Sequence, residues 1–188
     1  MNGIMGFTQL LDNPMLDGEK QKEFIDLIRQ SGERMLNIIN DLVDISKIEA
    51  GQTKVEMDET SINELIDSLY SFFKSQANNK GLSFVSMKDL PDRNCTVITD
   101  EGKLEQILNN LLSNAIKYTD EGNIEFGYIK QRNKLRFYVK DTGIGISPEA
   151  QKKIFDRFVQ ADVSITRKYE GAGLGLSMTL KTSVHFLS

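Results

Sequence analysis

A helix with amide side chains on one face constrains this chain more than any other feature. At 100° per residue, its apolar positions share one arc and its polar positions share the opposite one. The apolar positions are Leu104, Ile107, Leu108, Leu111 and Ala115, and the polar ones are Lys103, Gln106, Asn110, Asn114 and Lys117. Asparagine is a middling helix former that offers a carbonyl oxygen, so its repetition at i and i+4 needs a reason. Coordination of Mg²⁺ together with a polyphosphate is one reason, and a solvated polar face is the equally open alternative.

Composition limits the class of protein. The chain has 188 residues, of which 39% are hydrophobic and 27% charged, which is typical of a globular protein of one or two domains. The net charge of −4 and the lack of a long basic run argue against a nucleic-acid partner. The chain has one cysteine, Cys95, which excludes an internal disulfide framework. It has one histidine, His185, so it offers no cluster of cysteines and histidines for zinc. Without a membrane-length apolar run or a signal peptide, we expect a cytoplasmic location.

Residues 1–51 have the pattern of a helical hairpin. A first helix with Ile4, Phe7 and Leu11 on one face is broken at Pro14, and a second runs over residues 19–50. Its apolar positions step by three, four and seven, as in a coiled coil. They are Phe24, Ile28, Met35, Ile38, Leu42 and Ile45. Dimerisation into a four-helix bundle would bury this stripe, and packing of the hairpin on its own downstream domain is the alternative.

After a polar linker at residues 52–60, a second domain is predicted over residues 61–188. A capping box, Ser61 to Glu64, begins a helix that ends near Gly81. Its expected inner side consists of Ile62, Leu65, Ile66, Leu69, Phe72 and Phe73. Short strands follow at residues 82–87 and 95–99, Asp100 caps the asparagine helix, and a hairpin turns at residues 131–134. Helices interleaved with antiparallel strands predict a two-layer α/β sandwich, with the asparagine helix across the sheet.

Glycine-rich segments follow the hairpin. Asp141 ends a strand and is followed by Gly143 and Gly145, where backbone can approach a ligand and a buried carboxylate can accept from the amino group of adenine. Taken alone, an ordinary glycine-rich turn explains this segment better. Gly171, Gly173, Gly175 and Leu176 lead into an apolar helix whose N–H groups can face phosphate. Residues 159–170, with Thr166, Arg167 and Lys168, are predicted to form a mobile, positively charged lid.

The order of these motifs resembles the N, G1, F and G2 boxes of sensor histidine kinases. The matching segments are Asn110 to Lys117, Asp141 to Gly145, Phe155 to Phe158 and Gly171 to Gly175, and the resemblance extends from residue 1 to about residue 177. The lid at residues 158–169 most resembles that of hybrid, phosphorelay kinases. The fold implied is α+β. The hairpin is then half of a dimeric four-helix bundle, followed by an ATP-binding domain of the gyrase, Hsp90 and histidine kinase type.

The resemblance also implies roles for individual residues. Asn110 and Asn114 would hold Mg²⁺, Lys117 would meet the phosphates, and Tyr118 and Asp141 would bind adenine. The remaining implied ATP-binding residues are Gly143, Gly145, Arg157, Thr166, Arg167, Lys168, Gly171, Gly173, Gly175 and Leu176. In this family the γ-phosphoryl group of ATP passes to a histidine and then to an aspartate of a response-regulator receiver domain.

The chain departs from the family pattern at both ends. The acceptor histidine and its acidic neighbour would lie just before residue 1, and His185 is expected to be structural. After residue 178 the family's last two strands are not recognisable, so we expect a fragment truncated at both ends. Autophosphorylation by this chain is therefore not expected, and its parent kinase can be membrane-anchored upstream. The hairpin would form a homodimer or pair with a full-length kinase, and an inactive dimerisation fragment is the alternative function.

Overall fold

The described structure falls into two units. A computed structural model describes residues 2–12, 16–50, 54–154 and 156, and the chain divides into residues 1–51 and residues 52–188. In the part of the chain that is described, no helix is both long and apolar enough to cross a membrane. The cytoplasmic location stays a prediction of the sequence.

The first unit is a pair of helices, as the sequence predicts. Helix α1 covers Asn2–Leu11 and helix α2 covers Gly18–Glu49. They contact each other, and the rings of Phe7 and Phe24 lie 5.6 Å apart between centroids. Large apolar side chains of α2 stay 39–59% exposed. They are Ile25, Met35, Leu36, Ile39, Leu42 and Val43, which we call the α2 stripe.

The second unit contains helices on one face of a small sheet, with a separate two-stranded sheet. The long helices are α3, Ile62–Asn79, and α4, Glu101–Tyr118, and a short α5 covers Pro148–Gln151. The strands are β1 Asp58–Ser61, β2 Ser83–Lys88, β3 Thr96–Thr99, β4 Asn123–Gln131 and β5 Lys134–Asp141. Strand β1 includes residues 58–60, which the sequence assigns to the linker; there Thr60 is buried and pairs with Val97 of β3.

The order of the larger sheet is β2-β4-β5. Strands β4 and β5 form the predicted antiparallel hairpin, with Gln131 opposite Lys134. The sequence analysis predicts antiparallel strands and does not include the parallel pair that β2 forms with β4, with Phe84 opposite Ile124. The connection from β2 to β4 contains β3 and α4, and such a crossover returns the chain in the same direction.

Helix α3 begins and ends as the sequence predicts. The hydroxyl of Ser61 accepts a hydrogen bond from the Glu64 N–H, and Gly81 adopts a left-handed φ of 72° just after the helix. The inward position expected for Phe72 is wrong, since its side chain is 65% exposed. At 100° per residue Phe72 lies just outside the arc that contains Leu65 and Leu69.

A polar network that is buried at Asn63 and Tyr128 ties α3 to the sheet. The Tyr128 hydroxyl on β4 donates to the Asn63 side-chain oxygen at 2.6 Å. The Asn63 amide in turn donates to the Leu90 carbonyl at 3.0 Å and to the Asp92 carboxylate at 2.6 Å. Burial of the phenol raises the pKa of Tyr128. Because each bond needs its partner in register, the network fixes how α3 lies over β4.

Helix α4 lies across the sheet and contacts α3, β4 and β5. Its buried side consists of Leu104, Leu108, Leu112, Ala115 and Ile116. Relative to the predicted arc, this side is rotated towards Leu112 and Ile116, which the sequence analysis did not place in the core. Ile107 and Leu111 are consequently only half-buried, because contact with α3 covers one flank of the helix and leaves the other flank open.

Asp100 caps the N-terminus of α4 as predicted. Its carboxylate accepts hydrogen bonds from the backbone N–H groups of Lys103 and Glu56, both at 3.0 Å, and lies 3.1 Å from the Lys103 ammonium. Burial by itself would raise the pKa of Asp100, but the two N–H donors and the ammonium together hold that pKa below its ordinary value. The charged carboxylate therefore stabilises the folded state.

We predict that Asp100→Asn lowers the free energy of unfolding at pH 7 by about 1–2 kcal/mol, because an amide accepts weaker hydrogen bonds than a carboxylate. The folded pKa is depressed, so the carboxylate contributes fully above the unfolded value of about 4. The contribution is lost as the pH falls through the folded pKa. Urea unfolding at several pH values should show the difference between the two proteins closing below about pH 4.

The matched control is Glu105→Gln, an exposed carboxylate on the same helix, which should change stability by less than about 0.5 kcal/mol. A constant difference between wild type and Asp100→Asn down to low pH would contradict this account of the cap.

Candidate functional site

The polar edge of α4 places two amides and a phenol in one line. Asn110, Asn114 and Tyr118 follow each other at intervals of four residues, and each interval advances the helix by about 6 Å. All three side chains are half-buried. No hydrogen bond of the Asn110 or Asn114 amide occurs within the described ranges. The edge therefore presents amide oxygens and nitrogens that are available to a ligand about 12 Å long.

Lys117 lies beside this line, at the C-terminal end of the helix. Its ammonium nitrogen is 4.6 Å from the centroid of the Tyr118 ring, a distance at which a cation is attracted to an aromatic face. A positive charge and an aromatic surface thus occupy the same end of α4.

The turn that follows β5 is bonded to that end of the helix. Thr142 joins β5 to the start of β4: its N–H donates to the Asn123 carbonyl at 3.2 Å, and its hydroxyl accepts from the Asn123 N–H at 3.0 Å. Two residues later, the Ile144 N–H donates to the Tyr118 carbonyl at 3.2 Å. We call residues 141–146 the Asp141 turn, and this last bond holds it against α4.

Asp141 differs from the expectation in its exposure. The sequence analysis assumes a buried carboxylate, but the side chain is exposed in the described structure because it lies at the open end of β5. One oxygen, Oδ1, accepts a hydrogen bond from the Gly143 N–H at 2.9 Å. This bond fixes the orientation of the carboxylate while its other oxygen points away from that contact.

The two glycines of the turn are required for different reasons. A Cβ atom on Gly143 would lie 2.5 Å from the Tyr118 carbonyl oxygen and 2.9 Å from both Asp141 Oδ1 and the Thr119 hydroxyl. Gly145 has open space around it but adopts a left-handed φ of 69°. Close approach to α4 therefore excludes a side chain at Gly143, whereas backbone conformation favours glycine at Gly145.

The structure brings only part of the predicted site together. Lys117, Tyr118, Asp141 and Gly143 meet where α4 ends, and Asn110 and Asn114 continue along the same helix edge. Gly145 lies in the Asp141 turn, and the remaining eight predicted residues lie outside the described residues; they are Arg157, Thr166, Arg167, Lys168, Gly171, Gly173, Gly175 and Leu176. Phe155, Phe158 and His185 lie outside them as well.

Sequence reasoning missed two features of this region. Ile107 and Leu111 form a half-buried apolar strip beside Asn110 and Asn114. The helical spacing of apolar residues in the sequence does not distinguish such half-buried positions from fully buried core positions. Thr119 is fully buried, and in the described part of the chain its hydroxyl oxygen has no hydrogen-bond partner. No sequence signal distinguishes this threonine from an ordinary residue at a helix end.

Two family models match the chain. The model of the His Kinase A (phospho-acceptor) domain matches residues 1–51. The model of the histidine kinase-, DNA gyrase B- and HSP90-like ATPases matches residues 99–186, a range that contains the polar edge of α4 and the Asp141 turn. The catalytic domain of the histidine kinase ThkA is 30% identical, with a TM-score of 0.60, over 70% of this chain and 82% of that one. The chain belongs to the sensor histidine kinases.

Curated relatives of this histidine kinase chain are much longer than it is. The autoinducer 2 sensor kinase/phosphatase LuxQ of Vibrio harveyi is 38% identical over 95% of this chain and 21% of its own length. The signal transduction histidine-protein kinase BarA of Escherichia coli K12 is 37% identical over 96% of this chain and 20% of its own length. The chain thus spans about a fifth of these relatives.

Larger histidine kinase structures also resemble it. Full-length ShkA, crystallised with AMPPNP, has a TM-score of 0.75 and 31% identity, over 97% of this chain and 37% of that one. ThkA in complex with the response regulator TrrA has a TM-score of 0.67 and 28% identity, over 88% of this chain and 48% of that one. The predicted fold class is confirmed: a helical region precedes an α/β domain of the histidine kinase ATPase type.

We predict that Gly143→Ala destabilises the protein by about 1–3 kcal/mol, because the new methyl group pushes the Asp141 turn away from the end of α4. Gly145→Ala meets no atom and should cost about 1 kcal/mol through its backbone conformation alone. Urea unfolding of both variants measures the difference. A smaller loss for Gly143→Ala than for Gly145→Ala would contradict the close approach described here.

Proposed function

We propose that this chain is the ATP-binding core of a sensor histidine kinase that transfers the γ-phosphoryl group of ATP to a histidine. One observation carries the proposal: the Ile144–Tyr118 hydrogen bond joins the Asp141 turn to the polar edge of α4. The two motifs are separated in sequence, yet this bond holds them side by side, which supports the proposal that both contribute to one site. The geometry suits a ligand with a flat base at one end and charged groups at the other.

The end formed by Tyr118 and Asp141 suits the base. The half-buried Tyr118 ring lies at this end of α4, where a flat base can pack beside an aromatic side chain. Asp141 Oδ1 is held by the Gly143 N–H, so the carboxylate is oriented before any ligand arrives. Its second oxygen can accept a hydrogen bond from an exocyclic amino group, which adenine has and guanine lacks at the corresponding position.

The end formed by Asn110 and Asn114 suits a magnesium ion shared with phosphates. Amide oxygens are hard ligands, and both side chains are half-buried and without side-chain hydrogen bonds in the described ranges. In those ranges, no three His, Cys, Asp or Glu side chains are grouped so that they could hold a metal by themselves. That fits an ion held jointly with substrate, because Mg²⁺ keeps several ligands from water and phosphate. Such an ion would offset the negative charge of the triphosphate.

Lys117 supplies a further positive charge at the same site. Its ammonium lies over the Tyr118 ring and can move to a phosphate oxygen by rotation about its flexible side chain. For phosphoryl transfer, positioning and charge stabilisation are the main contributions of a protein. We extend the proposal to residues outside the described ranges from the family resemblance: Gly171, Gly173, Gly175 and Leu176 around the phosphates, and Arg157, Thr166, Arg167 and Lys168 in a lid of the hybrid-kinase type.

The acceptor and the partners are also proposals. We assign residues 1–51 to the dimerisation and phosphotransfer hairpin and the second unit, from β1 onward, to the ATP-binding domain. Residues 1–51 contain no histidine, so the acceptor histidine for this site is proposed to be supplied from outside those residues. A response-regulator receiver domain is the proposed recipient, supported by the ThkA complex with its response regulator.

Nucleotide binding tests the proposal directly. We predict saturable stabilisation of the wild-type chain by Mg-ATP in thermal unfolding, since a ligand that binds the folded state raises its stability. Asp141→Asn and Asn114→Asp should each weaken binding by roughly tenfold or more, through a lost base contact and through charge repulsion of phosphate. Asp67→Asn, an exposed carboxylate on α3 that pairs with Lys88, is the control. If all four proteins respond equally to Mg-ATP, the proposed site is wrong.

The exposed α2 stripe supports dimerisation of the first unit. We predict that Leu36→Lys shifts the chain from dimer to monomer in sedimentation equilibrium, because a charge placed in an apolar interface stays desolvated and unpaired. Gln30→Lys adds the same charge at an exposed position on another side of α2 and should leave the association unchanged. Equal effects of the two substitutions would contradict an interface on the stripe.

A further inference from the structure

The C-terminal end of α4 is held by a lysine from another helix. The last carbonyl groups of a helix have no partner within it. In α4 the Lys80 ammonium donates to the carbonyl of Ile116 at 2.8 Å, and to those of Lys117 and Thr119 at 3.2 Å each. The remaining carbonyl of this group, that of Tyr118, accepts from the Ile144 N–H.

This arrangement takes the place of a glycine cap. Thr119 follows α4 in an extended conformation, with φ −106° and ψ 115°, so the helix lacks the left-handed residue that commonly satisfies these carbonyls. A lysine ammonium has three protons, which matches the three carbonyls that Lys80 contacts. Its positive charge also lies at the negative end of the helix dipole.

Lys80 is itself fixed in place. It follows the last turn of α3 as its C-cap, and its backbone N–H donates to the Ala77 carbonyl at 3.1 Å, while the next N–H, that of Gly81, donates to the Asn78 carbonyl at 2.9 Å. The Lys80 side chain therefore starts from a fixed backbone position and links the end of α3 to the end of α4. The segment that it holds, residues 116–119, contains Lys117 and Tyr118 and provides the carbonyl that anchors the Asp141 turn.

We propose that Lys80 is a positioning residue of the nucleotide site, which acts through the backbone of α4 and not by contact with the ligand. The proposal rests on the nucleotide-binding function proposed above. Loss of the three hydrogen bonds would let the last turn of α4 move, and Tyr118 and the Asp141 turn would move with it. Affinity for the base would then fall together with affinity for the whole nucleotide.

Lys80→Met tests this inference, because methionine keeps an unbranched chain but removes the ammonium. Binding of Mg-ATP and of adenosine is measured by NMR titration, and exchange of the Ile144 amide hydrogen is measured without ligand. We expect affinity for both ligands to fall by a similar factor, about tenfold, and Ile144 exchange to quicken. Lys80→Arg, which keeps charged donors, should recover part of the affinity.

The matched control is Lys74→Met on the same helix. The Lys74 ammonium donates to one carbonyl, that of Phe84 on β2, at 3.3 Å, and its loss should leave both affinities and Ile144 exchange unchanged. If Lys80→Met is too unstable to titrate, Lys80→Gln is measured in its place and interpreted by the same criteria.

Other outcomes overturn the inference. Weakened Mg-ATP binding with unchanged adenosine binding would show that Lys80 acts by its charge on the phosphates. Lower thermal stability with unchanged affinities would show a purely structural role. If the wild-type chain and Lys80→Met bind both ligands equally well, this inference alone is wrong. If the wild-type chain binds neither ligand, the proposed function is wrong as well.

Discussion

The burial of one side of α4 determines where the proposed nucleotide site can be. Leu108 and Leu112 are completely buried, and each such leucine contributes about 1.5–3 kcal/mol relative to an exposed one. Because that side packs against α3 and the sheet, the opposite side of α4 must face away from them. The amides of Asn110 and Asn114 are thereby directed by apolar contacts made elsewhere on the helix. Their own low helix propensity matters little against this packing.

The packing needs additional constraints, because apolar contact alone leaves a helix able to slide and rotate. The Tyr128–Asn63 hydrogen bond and its continuation to Asp92 fix α3 over β4. Strand β4 then fixes β5 by pairing, and β5 ends at Asp141. The position of the Asp141 carboxylate, which we assign to the proposed site, thus follows from a series of directional hydrogen bonds that begins at Asn63, near the N-terminus of α3.

Sequence patterns could predict the features that depend on nearby residues. Both caps, Ser61 and Asp100, were predictable because the capped N–H lies two or three residues away. The β4–β5 hairpin was predictable from its alternation, and the family resemblance followed from the order of the motifs. The parallel pairing of β2 with β4 was missed because strand direction depends on the whole path of the intervening chain.

The flank of α4 that faces the site was also mispredicted, for a related reason. Five apolar positions of similar hydrophobicity define an arc, but the side of the arc that is covered depends on the position of α3. Leu112 entered the core and Ile107 did not, although nothing in the local sequence separates them. The role of Lys80 could not be predicted from local sequence for the same reason, since its acceptors lie 36–39 residues further along the chain.

Both ends of α4 are completed by residues that are distant in sequence, and this affects how the domain folds. The Glu56 N–H reaches the Asp100 cap across 44 residues, and Lys80 reaches the other end across 36. Closing such loops costs entropy before the bonds are gained. An isolated peptide of residues 100–119 would keep the Asp100 cap but would lack the Lys80 contacts, and would therefore fray at its C-terminal end. The last turn of α4 is completed only when α3 has docked, so we expect the proposed site to form together with the core.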